Sequence, residues 1–191
     1  MDSADKELEK IKEEVLACTK CPLHKERKGN SVFPVIGEGN HKAKIMFVGE
    51  APGFNEARTG RPFCGAAGRI LEELLESASI ERKDVYITNI LKDRPPKNRD
   101  PEPREIKACL PYLEKQISLI KPEAVCTLGR YAMEAFMKRS GLDHGPISQI
   151  HGKVFEDKGF KIIPFYHPAV AVYNAGMKET LKKDFEVLKK I

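Results

Sequence analysis

No stretch of this sequence is apolar for long enough to cross a bilayer. The longest apolar runs, such as Ile162 to Tyr166, fall far short of the roughly 20 residues that a spanning helix needs. The N-terminus, Met1-Asp2-Ser3-Ala4-Asp5-Lys6-Glu7, has neither a basic start nor an apolar core, so no signal peptide is expected and an intracellular, prokaryotic cytoplasmic setting is. Thiols stay reduced there, which argues against disulfides among the five cysteines. Internal repeats and low-complexity segments are also missing. Glutamine occurs only at Gln116 and Gln149 while Lys and Glu abound, a pattern of heat-adapted chains. Charge of one sign is not dominant either. With 33 basic and 28 acidic side chains the net charge is +5, which permits nucleic-acid contact without demanding it.

What is present fits one domain over residues 1–191 with a sizeable core. Leu8, Ile11 and Val15 at helical spacing predict an amphipathic helix over Ser3 to Ala17. An irregular stretch follows to Lys42, so residues 1–43 read as an N-terminal arm. Strands are predicted at Lys44 to Val48, Asp84 to Thr88, Ala124 to Leu128 and Lys161 to Tyr166, with a short hairpin strand at Lys153 to Glu156. Helices are predicted at 65–77, 102–120, 129–140 and 177–190. Strands alternating with helices indicate an α/β fold whose mostly parallel sheet is covered on both faces.

Three of those strands end in an unusual polar residue: Glu50 in Gly49-Glu50-Ala51-Pro52-Gly53, then Asn89, then His167. Parallel strands deliver their carboxyl ends to one edge, where ligands of open α/β sheets bind. A carboxylate, an amide and an imidazole therefore converge. Among the cysteines, Cys18 and Cys21 have the two-residue spacing of metal ligands, while Cys109 and Cys126 have 16 residues between them. One close pair with two separated cysteines suits an iron–sulfur cubane at least as well as zinc, and small buried core cysteines would read the same way.

Gly49-Glu50-Ala51-Pro52-Gly53, Gly60-Arg61-Pro62-Phe63-Cys64-Gly65, Thr88-Asn89-Ile90, Arg94-Pro95-Pro96-Lys97-Asn98-Arg99 and Tyr166-His167-Pro168-Ala169 resemble the motifs of the family 4, iron–sulfur uracil-DNA glycosylases. The resemblance runs from Cys18 to the last helix. It implies a three-layer α/β/α sandwich around a four-stranded parallel sheet. It also implies a [4Fe–4S] cluster on Cys18, Cys21, Cys109 and Cys126 that ties the arm to the core, and a monofunctional enzyme that removes uracil from DNA in base excision repair. Cys64 departs from the valine usual in the family motif.

In that reading Phe63 stacks on a flipped uracil, Asn89 reads its O4 and N3–H edge, and Glu50 acts on the oxocarbenium-like sugar and the attacking water. His167, with backbone groups around Ala51, stabilises the departing base, and Glu56 lies near the C5 edge and helps exclude thymine. DNA contacts fall to Lys92, Arg94, Lys97 and Arg99 and to Val172 or Tyr173 in the segment after His167. The implied partner is uracil-containing DNA, single- or double-stranded, engaged by a monomer, with a sliding clamp as a candidate protein partner and no membrane. Competing readings are a related glycosylase of broader deaminated-base specificity, a non-catalytic iron–sulfur DNA-binding module, and an electron-transfer protein.

Overall fold

Ile45-Met46-Phe47-Val48 and Ala124-Val125-Cys126-Thr127-Leu128 are buried on every side chain, as strands covered on both faces must be. The computed structural model describes residues 3–30 and 32–191. Its strands are β1 (Glu38–Gly39), β2 (Ile45–Gly49), β3 (Tyr86–Asn89), β4 (Ala124–Leu128), β5 (Phe155–Asp157) and β6 (Phe160–Phe165). They form one six-stranded sheet in the order β1-β3-β2-β4-β6-β5.

The sheet expected to have four parallel strands has six: the inner four are mutually parallel and the two outer ones are antiparallel additions. Both edge strands are short and carry charge, at Glu38 and at Glu156 and Asp157, which blunts the edges against further pairing. The hairpin strand lies two residues later than its expected start and turns at Gly159, whose φ of 100° favours glycine.

The helices among the described residues are α1 (Ser3–Leu16), α2 (His24–Asn30), α3 (Phe54–Thr59), α4 (Ala66–Ser77), α5 (Pro103–Ile120), α6 (Arg130–Ser140), α7 (Ile147–Ile150), α8 (Ala169–Tyr173) and α9 (Met177–Phe185). On one sheet face, Leu8, Ile11 and Val15 of α1 share a core with Leu113 and Ile117 of α5 and Met133 and Phe136 of α6. On the other, Leu71, Leu74 and Leu75 of α4 pack with Ala171 of α8 and Leu181 and Phe185 of α9. The result is the expected α/β/α sandwich.

The first helix is therefore part of a layer. Burial of its three apolar side chains, at about 1.5–3 kcal/mol each, anchors it to α5. The stretch expected to be irregular contains α2, and α3 and α8, each too short to show a clear period, were not expected. No helix among the described residues is long and apolar enough to cross a membrane.

Register positions the site. Gly49 of β2 lies opposite Asn89 of β3, and Leu128 of β4 opposite Phe165 of β6. Glu50, Asn89 and His167 thus emerge at the same sheet edge. The turn after β2 is laced to the turn after β3 by the N–H groups of Ile90 and Leu91, which donate to the carbonyls of Gly49 and Glu50 at 2.9 and 3.0 Å.

Candidate active site

A cleft of about 450 Å³ opens at this edge, lined by Glu50, Ala51, Glu56, Phe63, Asn89 and His167, and bounded by Phe54, Pro95, Arg99 and Tyr173. All six residues assigned to catalysis or base binding from the sequence line it.

Gly49 makes the close packing possible. A Cβ at Gly49 would stand 2.4 Å from Asn89 Oδ1 and 2.9 Å from Phe63 Cζ, so only glycine lets the amide and the ring approach the strand end. Phe63 has a φ of 48°, a conformation uncommon for a bulky residue. Two contacts hold it. The absence of a side chain at Gly68 admits its carbonyl against α4, since a Cβ there would sit 1.8 Å from that oxygen, and the Arg82 guanidinium donates to the carbonyls of Pro62 and Phe63 at 2.7 and 3.3 Å. The Phe63 ring lies 5.6 Å from the His167 ring with 29° between planes. Together they leave a slot suited to a planar heterocycle.

The carboxylates differ in task. Burial in the cleft wall raises the Glu50 pKa to about 7, with Asp100 adding to the rise and Arg130 opposing it. Near neutrality Glu50 is therefore poised between acid and base. Glu56 is a bracing group: its Oε1 accepts the backbone N–H groups of Cys64 and Gly65 at 3.1 and 3.0 Å and so fixes the turn that carries Phe63. His167 has its pKa lowered by burial to about 4, against a smaller opposing pull from Glu56, so the ring is neutral at physiological pH. Its Nδ1 accepts the Ala169 N–H at 3.2 Å, which places the ring proton on Nε2.

The basic loop divides unexpectedly. Lys92 is buried, so its expected role as a DNA contact is corrected. Its Nζ lies 2.8–3.2 Å from Ile36 O, Thr88 Oγ1, Asn89 O and Gln116 Oε1, so its three N–H groups are shared among four acceptors. Burial lowers its pKa to about 7, with Cys109 opposing. The group braces the backbone of Asn89. Arg99 is also engaged inside the protein, donating to both oxygens of Glu105 at 2.6 and 2.9 Å, and Glu105 is fully buried and closes the capping box of α5. Lys97 is exposed, and the Arg94 guanidinium stacks 5.4 Å from the Phe54 ring at the cleft rim. Beyond His167, Val172 and Tyr173 are 43% and 89% exposed, an unusual outlay of apolar surface beside the cleft.

The cysteines are corrected too. Cys21 and Cys109 are buried, and Cys18 packed beside them, in the core beneath α1 and α5. Cys126 is fully buried in the core on the opposite face of the sheet, where alternation along β4 points it with Ala124 and Leu128. The expected four-cysteine set is not assembled, and among the described residues no group of three or more His, Cys, Asp or Glu side chains stands ready to hold a metal ion. Cys64 is exposed, its sulfur 3.3 Å from Thr59 Oγ1.

Phe54 and Asn98 are among the cleft residues that went unassigned in the sequence. Phe54 is half exposed at the rim, flanked by the guanidinium groups of Arg58 and Arg94. Asn98, at a φ of 55°, accepts the Arg94 Nε–H at 2.7 Å. Only the placement of α3 against the basic loop reveals the first, whereas the turn sequence Pro96-Lys97-Asn98 signalled the second.

A carboxylate raised towards neutrality, a buried amide and a neutral imidazole around a flat slot at the carboxyl edge of the sheet suit a hydrolase that cleaves a bond to a planar heterocycle. Residues 36–189 match the uracil DNA glycosylase superfamily. A type-4 uracil-DNA glycosylase of Sulfurisphaera tokodaii is 46% identical over 189 residues, 96% of this chain and 84% of that one. One from Archaeoglobus fulgidus is 44% identical over 94% of this chain and 90% of its own. A type-5 uracil-DNA glycosylase of Pyrobaculum aerophilum is more distant, 33% identical over 82% of this chain and 74% of its own. The chain belongs to the uracil-DNA glycosylase superfamily and, within it, to the type-4 uracil-DNA glycosylases.

Proposed function

We propose that this protein excises uracil from DNA by hydrolysing its N-glycosidic bond, leaving an abasic site, and that Glu50, Asn89, Phe63 and His167 are the groups that do so. The observation that carries the reading is the neutral, Nε2-protonated His167 beside the slot that Gly49, Phe63 and Asn89 form.

Uracil stacked in a duplex is out of reach, so the nucleotide is flipped into the cleft. Phe63 supplies a stacking face worth about 1–3 kcal/mol for any base. Asn89 supplies the discrimination: its amide donates to O4 and accepts from N3–H, while cytosine presents the reverse pattern and leaves buried groups unpaired. As the glycosidic bond lengthens, the sugar gains positive charge and the base negative charge. Glu50 as carboxylate faces the former and orients water, and the Nε2–H of His167 donates to O2 as charge builds there. A neutral imidazole delivers that bond without neutralising Glu50.

Lys97, Arg94 and the exposed Val172–Tyr173 pair form the DNA-facing rim. A [4Fe–4S] cluster, which the resemblance to the iron–sulfur glycosylases implies, would be held on the arm side in part by Cys18, Cys21 and Cys109, which share one core. Such a cluster supplies a structural tie between α1, the arm and α5, and no step above passes through it.

The test is release of uracil from single- and double-stranded uracil-containing DNA, followed by alkaline scission of the abasic site. Scission at uracil and not at cytosine or thymine is expected. Intact strands over every base would refute the enzyme and favour a binding module.

A further inference from the structure

We propose that Asp93, and not Cys126, is the fourth ligand of the iron–sulfur cluster held by Cys18, Cys21 and Cys109. The proposal rests on the cluster reading given above and concerns residues that play no part in base excision.

The first argument is topological. Cys18, Cys21 and Cys109 face one core and Cys126 the other, with the sheet between them. A cubane a few ångströms across cannot be ligated from both sides of a hydrogen-bonded sheet. Asp93 is on the correct side. It follows Lys92 directly, is 4% exposed, and is paired with Arg27, whose guanidinium also reaches the carbonyls of Val15 and Leu16 just before Cys18.

The second argument concerns the sulfurs. Cys21 and Cys109 are buried in one core with Cys18 packed against it, whereas Cys126 is fully buried among Phe47, Ala124, Leu128, Ile163 and Phe165 in the other. Cys126 behaves as a small apolar core residue.

The third is charge. A [4Fe–4S]²⁺ core with four singly anionic ligands carries a net charge of 2−, and burying it calls for cations nearby. Arg27 supplies one. Its guanidinium is 12% exposed, grips both oxygens of Asp93 at 2.5 Å, and lies in the field of Cys18 and Cys109. It also donates to the carbonyls of Val15 and Leu16 at 2.7 and 2.8 Å, at the end of α1. Each carboxylate oxygen retains a second lone pair, so the pairing with Arg27 leaves Asp93 able to bind iron. A bare buried ion pair beside three idle thiols would stabilise little by itself.

An oxygen ligand is harder than thiolate and holds its iron less firmly. The Asp93-bound iron is therefore the one released on oxidation: [4Fe–4S]²⁺ gives [3Fe–4S]⁺, Fe²⁺ and one electron, the electron passing to added ferricyanide.

The experiment uses the full chain purified anaerobically. Iron and acid-labile sulfide are measured, then electron paramagnetic resonance is recorded after one equivalent of ferricyanide. Cys126→Ala and Cys126→Val are expected to keep the wild-type iron and sulfide, and Cys109→Ala to lose them. Asp93→Cys is expected to keep four irons and to show about tenfold less of the three-iron signal than wild type. Loss of iron from folded Cys126 variants, an Asp93→Cys protein that oxidises like wild type, or a wild-type chain holding zinc or no metal would each overturn the proposal. Should the Cys126 variants not fold, the Asp93→Cys comparison decides alone. Uracil release assayed on the same samples reports separately on the enzymatic reading.

Discussion

The backbone N–H of Ala169 donates to Nδ1 of His167 across 3.2 Å, and through that bond the fold selects which ring nitrogen faces the substrate. A neutral histidine has one donor and one acceptor, and the acceptor is already used.

A nitrogen-15 spectrum of the protein should therefore show His167 as the neutral Nε2–H tautomer at pH 7 and still at pH 5, since its pKa is lowered to about 4. The sign for stability follows. The unfolded ring takes a proton near pH 6.5 and the folded one only near 4, so this contribution is present above 6.5 and declines as pH falls towards 4. A protonated ring at pH 6 would contradict the assignment. His167→Ala should lower kcat by roughly 100- to 1,000-fold, the usual effect of losing one donor to a developing anion.

Glu50 sets activity against stability. Its pKa of about 7 lies above the ordinary carboxylate value because the cleft wall desolvates it. Uracil release should rise with pH through about 7 as the carboxylate forms. Stability runs the other way: the contribution is full below about pH 4.5 and is lost as pH rises through 7. Glu50→Gln should thus cost orders of magnitude in kcat while raising stability at pH 8 by about 1–2 kcal/mol, as sites tuned for chemistry often allow. Denaturant unfolding of both proteins at pH 5 and pH 8 measures this, and an equal difference at the two values would remove Glu50 as the cause.

Much of this site was legible in the sequence, because strand ends and turn residues are local signals. The third strand, Ala124 to Leu128, lies where its apolar run and flanking Gly129 placed it, and the convergence of Glu50, Asn89 and His167 needed only the parallel sheet. Lys92 and Cys126 were misread for non-local reasons. Lys92 sits in a loop rich in cations, and its burial depends on oxygens from Ile36, Thr88 and Gln116, far apart in the chain. Cys126 lies in a strand buried on both faces, so its apolar neighbours carry no alternation to show which way it points. Asp93 was not assigned at all, since a lone aspartate in a basic loop has no spacing signature and only its burial and its pairing with the distant Arg27 set it apart.

The division of the basic loop predicts two different salt responses. Lys97 is exposed at the rim, so Lys97→Ala should weaken DNA binding and reduce the slope of log K against log salt by about 1. Lys92→Met should leave that slope unchanged. Its effect should appear in stability instead, because it leaves the Asn89 carbonyl and Gln116 Oε1 without their buried donor, at a cost of about 1–3 kcal/mol each. A Lys92 variant that lost salt dependence with its stability intact would restore it as a phosphate contact.

Gly49 offers the sharpest separation of site from scaffold. A methyl group at this position meets Asn89 Oδ1 at 2.4 Å and the Phe63 ring at 2.9 Å, and both belong to the slot. Neither can retreat freely: Asn89 is held through its carbonyl by Lys92, and Phe63 by Arg82 and the close approach of Gly68. Gly49→Ala should cost about 1–3 kcal/mol of stability through overpacking, a loss that thermal unfolding would show as a modest fall in Tm. Its effect on catalysis should be larger, because a displacement of about 1 Å in the reading amide is enough to lose roughly 100-fold in kcat/KM. The loss should also fall on uracil reading more than on DNA affinity, since the rim residues do not move. A Gly49→Ala enzyme with normal kcat/KM would mean that the slot between Asn89 and Phe63 is not where the base resides.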